Sequence, residues 1–148
     1  MKVYFSPWFS AHPYMQRKEG TIRFNEKVTG PTGLLSVLQE LAGVHHEPVS
    51  AQQRSVLYCN NMKACIKEGD LFYKSFKLDP LGVSNRLLVW RDTLVAAGWD
   101  IKGSVPMASA KLDFIRRMEP ENFPMVECDM WLETLKLAQG GAFEGADL

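Results

Sequence analysis

Apolar residues recur at steps of three and four positions along several segments of the chain, which is the spacing of one buried helix face. The longest such segment begins at Asp79 and Pro80, which suit the cap and the first position of a helix, and ends at Gly98, which suits a left-handed stop. Its predicted buried positions are Val83, Leu87, Trp90, Leu94 and Ala97, flanked by Leu88 and Val95. The pattern therefore predicts a central helix with both ends specified.

Two helices are predicted before this one. The first ends at Gly43, and the second begins at Ser50 and Gln53, which have capping-box spacing, and runs to about Cys65. Their predicted buried positions are Leu34, Leu35, Leu38, Leu41 and Ala42 in the first helix, and Val56, Leu57, Ala64 and Cys65 in the second.

Two helices are also predicted after it. The first runs from Pro106 through Met118 and is broken by Pro120 and Pro124, and the second covers about residues 126–138. Their predicted buried positions are Leu112, Phe114 and Ile115 in the first, and Met130, Trp131, Leu135 and Ala138 in the second.

Short strands are predicted where β-favouring residues cluster or alternate with polar ones, at residues 2–5, 21–25 and, briefly, 99–101. The predicted fold class is α/β or α-rich α+β, with about five helices beside a short sheet. We expect a single globular domain over residues 1–139, followed by a glycine-rich tail over 140–148. An incomplete sheet would expose a strand edge, through which two copies could form a homodimer.

Composition narrows the range of functions expected for this chain. The 148 residues contain 17 basic and 17 acidic side chains, so no net positive field draws the chain onto nucleic acid, although a local basic patch stays open. Cys59, Cys65 and Cys128 lack the paired spacing of zinc sites and are interpreted as reduced thiols. No apolar run reaches bilayer length, so the protein is expected to be soluble and cytoplasmic, with no membrane partner.

Two segments carry a resemblance to a known family. The run Trp-Arg-Asp-x-Leu followed by Ala-Gly-Trp-Asp, over residues 90–100, and the run Gly-Pro-Thr-Gly-Leu-Leu that opens residues 30–43 resemble the N-terminal region of AddB-like helicase-nucleases of the PD-(D/E)xK nuclease family. The resemblance implies a partial helicase-like core, and a chain that is either an excised N-terminal domain or a truncated paralogue. It also implies a partner, which is the remainder of the chain or a helicase-nuclease subunit.

The residues that helicases need for ATP hydrolysis and nucleases need for metal binding are not found as complete motifs in this sequence. In the run over residues 30–35, leucines stand where a P-loop needs lysine and a hydroxyl, so the run is interpreted as a helix entry. Asp100 and Lys102 form an acid-x-Lys triplet with Asp79 upstream, a spacing expected about once by chance in a chain of this composition. His45 and His46 are adjacent and point apart, so we interpret them as a solvated loop. No cofactor, metal or catalytic residue is therefore predicted.

Arg86, Trp90 and Arg91 are the candidate contact residues, because tryptophan and arginine are common where proteins bind single-stranded DNA or another domain. A structural use is the alternative, in which Trp90 packs in the helix stripe and Arg91 and Asp92 bridge neighbouring helices or cap the sheet.

The function expected from the sequence is a noncatalytic N-terminal scaffold domain of a DNA-end-processing helicase-nuclease, acting in recombination and repair. One alternative is a free-standing interaction or regulatory module with no role on DNA. A third, a small enzyme built around Trp8, His12 and Tyr14, has no catalytic constellation to support it.

Overall fold

The structure is a computed structural model that describes residues 1–10, 24–47, 49–103 and 109–145. Within them the fold is helix-rich α+β, with a two-stranded parallel sheet. The strands are β1 (Lys2–Phe5) and β2 (Glu26–Thr29), and the helices are α1 (Pro31–Ala42), α2 (Ala51–Cys65), α3 (Tyr73–Leu78), α4 (Pro80–Ala96), α5 (Ala110–Arg117) and α6 (Glu127–Gln139). The chain divides into two compact units, residues 1–46 with 133–148, and residues 47–132.

The first unit contains the sheet and α1. Lys2 pairs with Glu26 and Phe5 with Thr29 in parallel register. The sequence predicts the second strand over residues 21–25. This prediction is wrong for Phe24 and Asn25, which precede β2, and residues 21–23 lie outside the described residues. The φ of Asn25 is 60°, a left-handed conformation that interrupts an extended run, so pairing starts one residue later.

The helix α1 begins as the sequence predicts. Gly30 is its N-cap and Pro31 occupies the first turn, while Gly43 ends it at a φ of 69°. A Cβ on Gly33 would lie 1.9 Å from the hydroxyl oxygen of Thr29, so the glycine permits a close approach to β2. The helix-entry interpretation of residues 30–35 is thus confirmed. Leu35 and Val37 are its buried positions, whereas Leu41 is exposed.

The second unit is built around α2 and α4, which pack against each other and against α3 and α5. Its buried apolar core is Tyr58, Cys59, Met62, Phe76, Leu87, Leu88, Ile101, Phe114, Ile115 and Met118. Phe114 and Ile115 confirm the predicted buried face of α5. That helix begins at Ala110, and the predicted start at Pro106 lies outside the described residues. Ile101 lies in a turn and not in the predicted strand, although its side chain is buried.

Both ends of α4 are confirmed. An oxygen of the Asp79 carboxylate accepts a hydrogen bond from the Gly82 amide at 2.9 Å. At the other end Gly98 has a φ of 92°, and the amide of Trp99 donates to the carbonyl of Leu94. The capping box of α2 is confirmed as well, since the Ser50 hydroxyl accepts from the Gln53 amide and the Gln53 side chain accepts from the Ser50 amide.

Replacing Asp79 with alanine is expected to lower the free energy of unfolding by about 1 kcal/mol, because the first amides of α4 lose their side-chain acceptor. Urea denaturation measures this loss. Asp79→Asn is the matched control, since asparagine keeps an acceptor oxygen and caps about as well. Equal destabilisation by the two substitutions would contradict a capping role for the Asp79 side chain.

The buried faces of three helices differ from the predicted ones. In α4 the buried residues are Ser84, Leu87, Leu88, Arg91 and Val95, and the predicted Trp90 and Ala97 are exposed. In α2 they are Arg54, Tyr58, Cys59 and Met62, and the predicted Val56, Leu57 and Ala64 are exposed. In α6 Asp129 and Thr134 are buried, and the predicted Leu135 and Ala138 are exposed. The common reason is that some polar side chains of these helices are buried, whereas the hydrophobic pattern of the sequence predicts that polar positions face solvent.

Candidate functional site

A cluster of buried charges lies in the second unit, where α2, α4, the segment that follows α5 and the start of α6 meet. Its members are Arg54, Arg91, Asp92, Glu119 and Asp129. Arg54 and Arg91 are only 3% and 4% exposed, and Asp129 is 9% exposed. Guanidinium groups are seldom this buried unless they are paired, so the hydrogen-bond partners of each one decide what the cluster does.

Arg54 uses all three of its guanidinium nitrogens. Two of them bind the Asp92 carboxylate in a bidentate pair at 2.5 and 2.8 Å. The Nε group donates to the carbonyl oxygen of Pro124 at 3.0 Å, and Nη2 also lies 3.5 Å from Asp129. The guanidinium carbon lies 4.5 Å from the centre of the Phe123 ring. One side chain of α2 thereby joins α4 to the segment that leads into α6.

Arg91 is paired in the same manner. Its Nε and Nη2 groups bind Glu119, with a shortest distance of 2.6 Å, and Nη1 lies 2.5 Å from Asp129 and 3.1 Å from Asp92. Burial by itself would lower the pKa of Arg91, but the hydrogen bonds and charges of Glu119 and Asp129 raise it above the ordinary value. Arg91 is therefore a permanent cation, and each of its three guanidinium nitrogens contacts a carboxylate.

The bridging alternative for Arg91 and Asp92 is thus confirmed, because these two residues connect α4 to α2, to Glu119 and to α6. A phosphate that approached Arg91 would have to displace Glu119 and Asp129. Two guanidinium groups face three carboxylates, so the cluster carries one net negative charge at neutral pH. Asp92, at 29% side-chain exposure, is its most solvent-accessible member.

Asp92, Asp129 and Cys128 bring three potential metal ligands within 4.8 Å of one another. The carboxylate oxygens of both aspartates already accept from Arg54 and Arg91, so a cation would have to compete with two guanidinium groups. Burial raises the pKa of the Cys128 thiol, and Asp129 raises it further, which disfavours the thiolate that binds metals. The arrangement favours a structural role for these three residues.

Tyr58 lies beside this cluster and is fully buried, and its hydroxyl has no hydrogen-bond partner among the described residues. Burial raises the pKa of the Tyr58 phenol above its usual range, and the negative charge of Glu119 raises it further.

We expect Tyr58 to stay protonated in the folded protein at a pH where an ordinary tyrosine, with a pKa of about 10, is ionised. The folded state then binds this proton more tightly than the unfolded state does. The free energy of unfolding should therefore fall as the pH rises above about 10. Tyrosinate absorbance during an alkaline titration measures the ionisation, and the late component should be absent from Tyr58→Phe. Ionisation of Tyr58 together with exposed tyrosines, before the fold is lost, would contradict the prediction.

The outward face of α4 holds the other two candidate contact residues. Exposed positions recur along the helix as neighbouring pairs four residues apart, so they share one face. We call this face the α4 surface and define it by Leu81, Arg86, Val89 and Trp90. Leu81 and Val89 are 52% and 62% exposed, and Trp90 is 40% exposed. The structure thus brings Arg86 and Trp90 together and separates both from Arg91, and their role in binding stays a prediction.

Trp90 is held in place although it is exposed. The Phe72 ring meets it edge-on at a centroid distance of 6.2 Å, and Phe72 in turn meets Phe114 at 5.2 Å. Leu78, at the end of α3, is 88% exposed. Single exposed apolar residues are ordinary, whereas several on one helix face make the α4 surface a candidate docking surface.

No known protein family, curated protein or solved structure matches this chain. The two segments that resemble AddB-like proteins therefore stay an expectation about its origin. Among the described residues, no helix is both long and apolar enough to cross a bilayer.

The remaining candidate residues have local partners. The Asp100 carboxylate accepts from the Lys102 amide, and Asp79 caps α4, so each has a structural use. His45 is exposed as expected, but His46 is half-buried and its Nε2 lies 2.6 Å from a carboxylate oxygen of Glu133, which corrects the solvated-loop interpretation for that residue. Glu133 lies 87 positions away, so adjacent sequence could not reveal this pair. Trp8 is 80% exposed, while His12 and Tyr14 lie outside the described residues.

Sequence reasoning identified Arg91 and Asp92 as possible bridges but missed Arg54, Glu119 and Asp129, although a signal for the buried arginines exists. Arg54 precedes Tyr58 by four positions, and Arg91 follows Leu87 by four, so each arginine lies on the same helix face as a core residue. A charged side chain at core spacing indicates a buried ion pair. The acids that complete the pair, such as Glu119, could not be identified from spacing within one helix.

Proposed function

We propose that this chain is a noncatalytic docking scaffold, the N-terminal domain of a cytoplasmic DNA-end-processing helicase-nuclease. The observation that carries the docking role is the α4 surface, where Leu81, Val89 and Trp90 are exposed on one face of a helix whose opposite face is buried. The two segments that resemble AddB-like proteins support the parent protein and the DNA-processing context.

The charged cluster supports a scaffold over an enzyme. Its two arginines are paired with its three carboxylates and connect four parts of the second unit, so these side chains are engaged in holding the fold. A catalytic group needs an accessible reactive atom, and each guanidinium nitrogen of Arg54 and Arg91 already has a partner within the second unit. The proposed role of the domain is therefore to present a surface, and the partner is the remainder of its own chain or a helicase-nuclease subunit.

Site-specific photo-crosslinking tests this role. A benzoylphenylalanine introduced at Val89 in the protein expressed in its own cell should crosslink to a helicase or nuclease polypeptide, identified by mass spectrometry of the joined peptides. Leu57 on α2, which is 46% exposed, is the matched control position and should not yield that product. No product from Val89 would contradict docking through the α4 surface.

The identity of the crosslinked partner separates the proposal from its alternative. A partner with no role on DNA would favour the free-standing interaction module and would overturn the helicase-nuclease assignment. DNA-dependent ATP hydrolysis or DNA cleavage by the purified chain would overturn the noncatalytic role.

A further inference from the structure

We infer that the α4 surface binds an amphipathic α-helix whose apolar stripe is flanked by carboxylates. This inference rests on the proposed docking function and specifies the chemistry of the partner. Three features of the second unit carry it, namely the shape of the surface, its charge and the fixed position of Trp90.

The shape suits a helix. Leu81, Asn85 and Val89 form one row at steps of four residues, and Gly82, Arg86 and Trp90 form the row beside it. Such rows are the ridges that a second helix packs between. Each row extends over eight residue-to-residue steps, or roughly 12 Å of helix axis, which is a little over two turns of contact.

The charge suits an acidic partner. Lys74, Lys77 and Arg86 are exposed on α3 and α4, and none of them forms an ion pair with another described residue. The two acids of these helices and their junction are already used, since Asp79 caps α4 and Asp92 binds Arg54. The charges of α3 and α4 that form no ion pair or hydrogen bond with another described residue are thus cations, and carboxylates on a partner would complement them.

Trp90 supplies a rigid contact point. Its ring rests edge-on against Phe72, which belongs to the core packing, so little side-chain freedom remains to be lost on binding. Partly buried aromatic residues of this kind often contribute much of the energy of a protein interface.

Nucleic acid is the weaker candidate. A single strand needs several cations along its backbone and aromatic rings that stack on successive bases. Trp90 is the one aromatic residue of the α4 surface, so a single strand would find one ring to stack on, and Leu81 and Val89 would face phosphates without a favourable contact. A protein helix with an apolar stripe and flanking carboxylates would offer a favourable contact to all four residues of the α4 surface.

Two synthetic peptides test the inference on the full chain. Both are helices about five turns long with the same leucine stripe. The stripe is flanked by glutamate in one peptide and by lysine in the other. We expect the glutamate peptide to bind at least about tenfold more tightly in fluorescence anisotropy, and to weaken as salt is raised. Val89→Glu and Arg86→Glu should each weaken it by about tenfold or more. Leu57→Glu, on α2, should leave binding unchanged.

Each contrary result has a separate meaning. Equal affinity for the two peptides would overturn the acidic partner and leave docking intact. Binding of the glutamate peptide that Val89→Glu does not weaken would overturn the α4 surface as its site. Tighter binding of single-stranded oligo(dT), weakened by Arg86→Glu, would overturn the inference in favour of nucleic acid. Failure of the proposed function would appear independently, as the absence of a crosslink from Val89 in cells.

Discussion

Replacing Arg91 with methionine is expected to lower the free energy of unfolding by about 3–5 kcal/mol. Methionine keeps much of the side-chain volume but removes the charge that Glu119 and Asp129 face. Their side chains are only 10% and 9% exposed, so water cannot replace the lost partner well. Urea denaturation followed by circular dichroism measures the loss.

Arg86→Met is the matched control, because Arg86 lies on the same helix and is exposed. We expect it to change stability by no more than about 0.5 kcal/mol. Adding Glu119→Gln to Arg91→Met should recover part of the loss, since it removes one of the stranded charges. If Arg91→Met were as stable as Arg86→Met, the buried ion pairs would not hold these helices together.

Replacing Leu87 with aspartate should unfold the second unit. Leu87 is 1% exposed and packs among the apolar side chains of the core. An ionised carboxylate there would be buried without a partner, at a cost that typically exceeds the stability of a small domain or forces the group to be neutral. The expected result is loss of the cooperative thermal transition.

Val89→Asp controls for the effect of aspartate within the same helix, two positions away. Val89 is 62% exposed, so its substitution should keep the cooperative transition with a change of about 0.5–1 kcal/mol, reflecting helix propensity. A cooperative melt of Leu87→Asp close to that of Val89→Asp would mean that α4 does not use this face for packing.

The helix boundaries could be predicted from sequence because the groups that set them are neighbours in the chain. Asp79 reaches the amide three residues ahead, Gly98 supplies its own left-handed φ, and Ser50 and Gln53 cap each other. None of these depends on what packs against the helix. The same locality explains why Gly30 and Pro31 mark a helix entry in the sequence.

The buried faces could not be predicted in the same way. A hydropathy pattern predicts that arginines face solvent. Arg54 and Arg91 are nevertheless buried, because they pair with carboxylates that lie up to 75 positions away in the sequence. Because Arg54 and Arg91 lie on the buried faces of α2 and α4, the residues Leu57, Val89 and Trp90 lie on the exposed faces. The candidate docking surface is therefore a consequence of the ion pairs on the opposite face.

The sequence by itself determined the helix-rich character of this protein and the ends of α1, α2 and α4, since those depend on contacts within a few residues. Only the tertiary structure decided which side of each helix is core, and that Arg91 is a bridge while Arg86 forms no ion pair with another described residue. The physical reason is that a charged side chain can be buried only where groups of opposite charge surround it. Those groups come from distant positions in the sequence, so only the folded structure shows whether they are present.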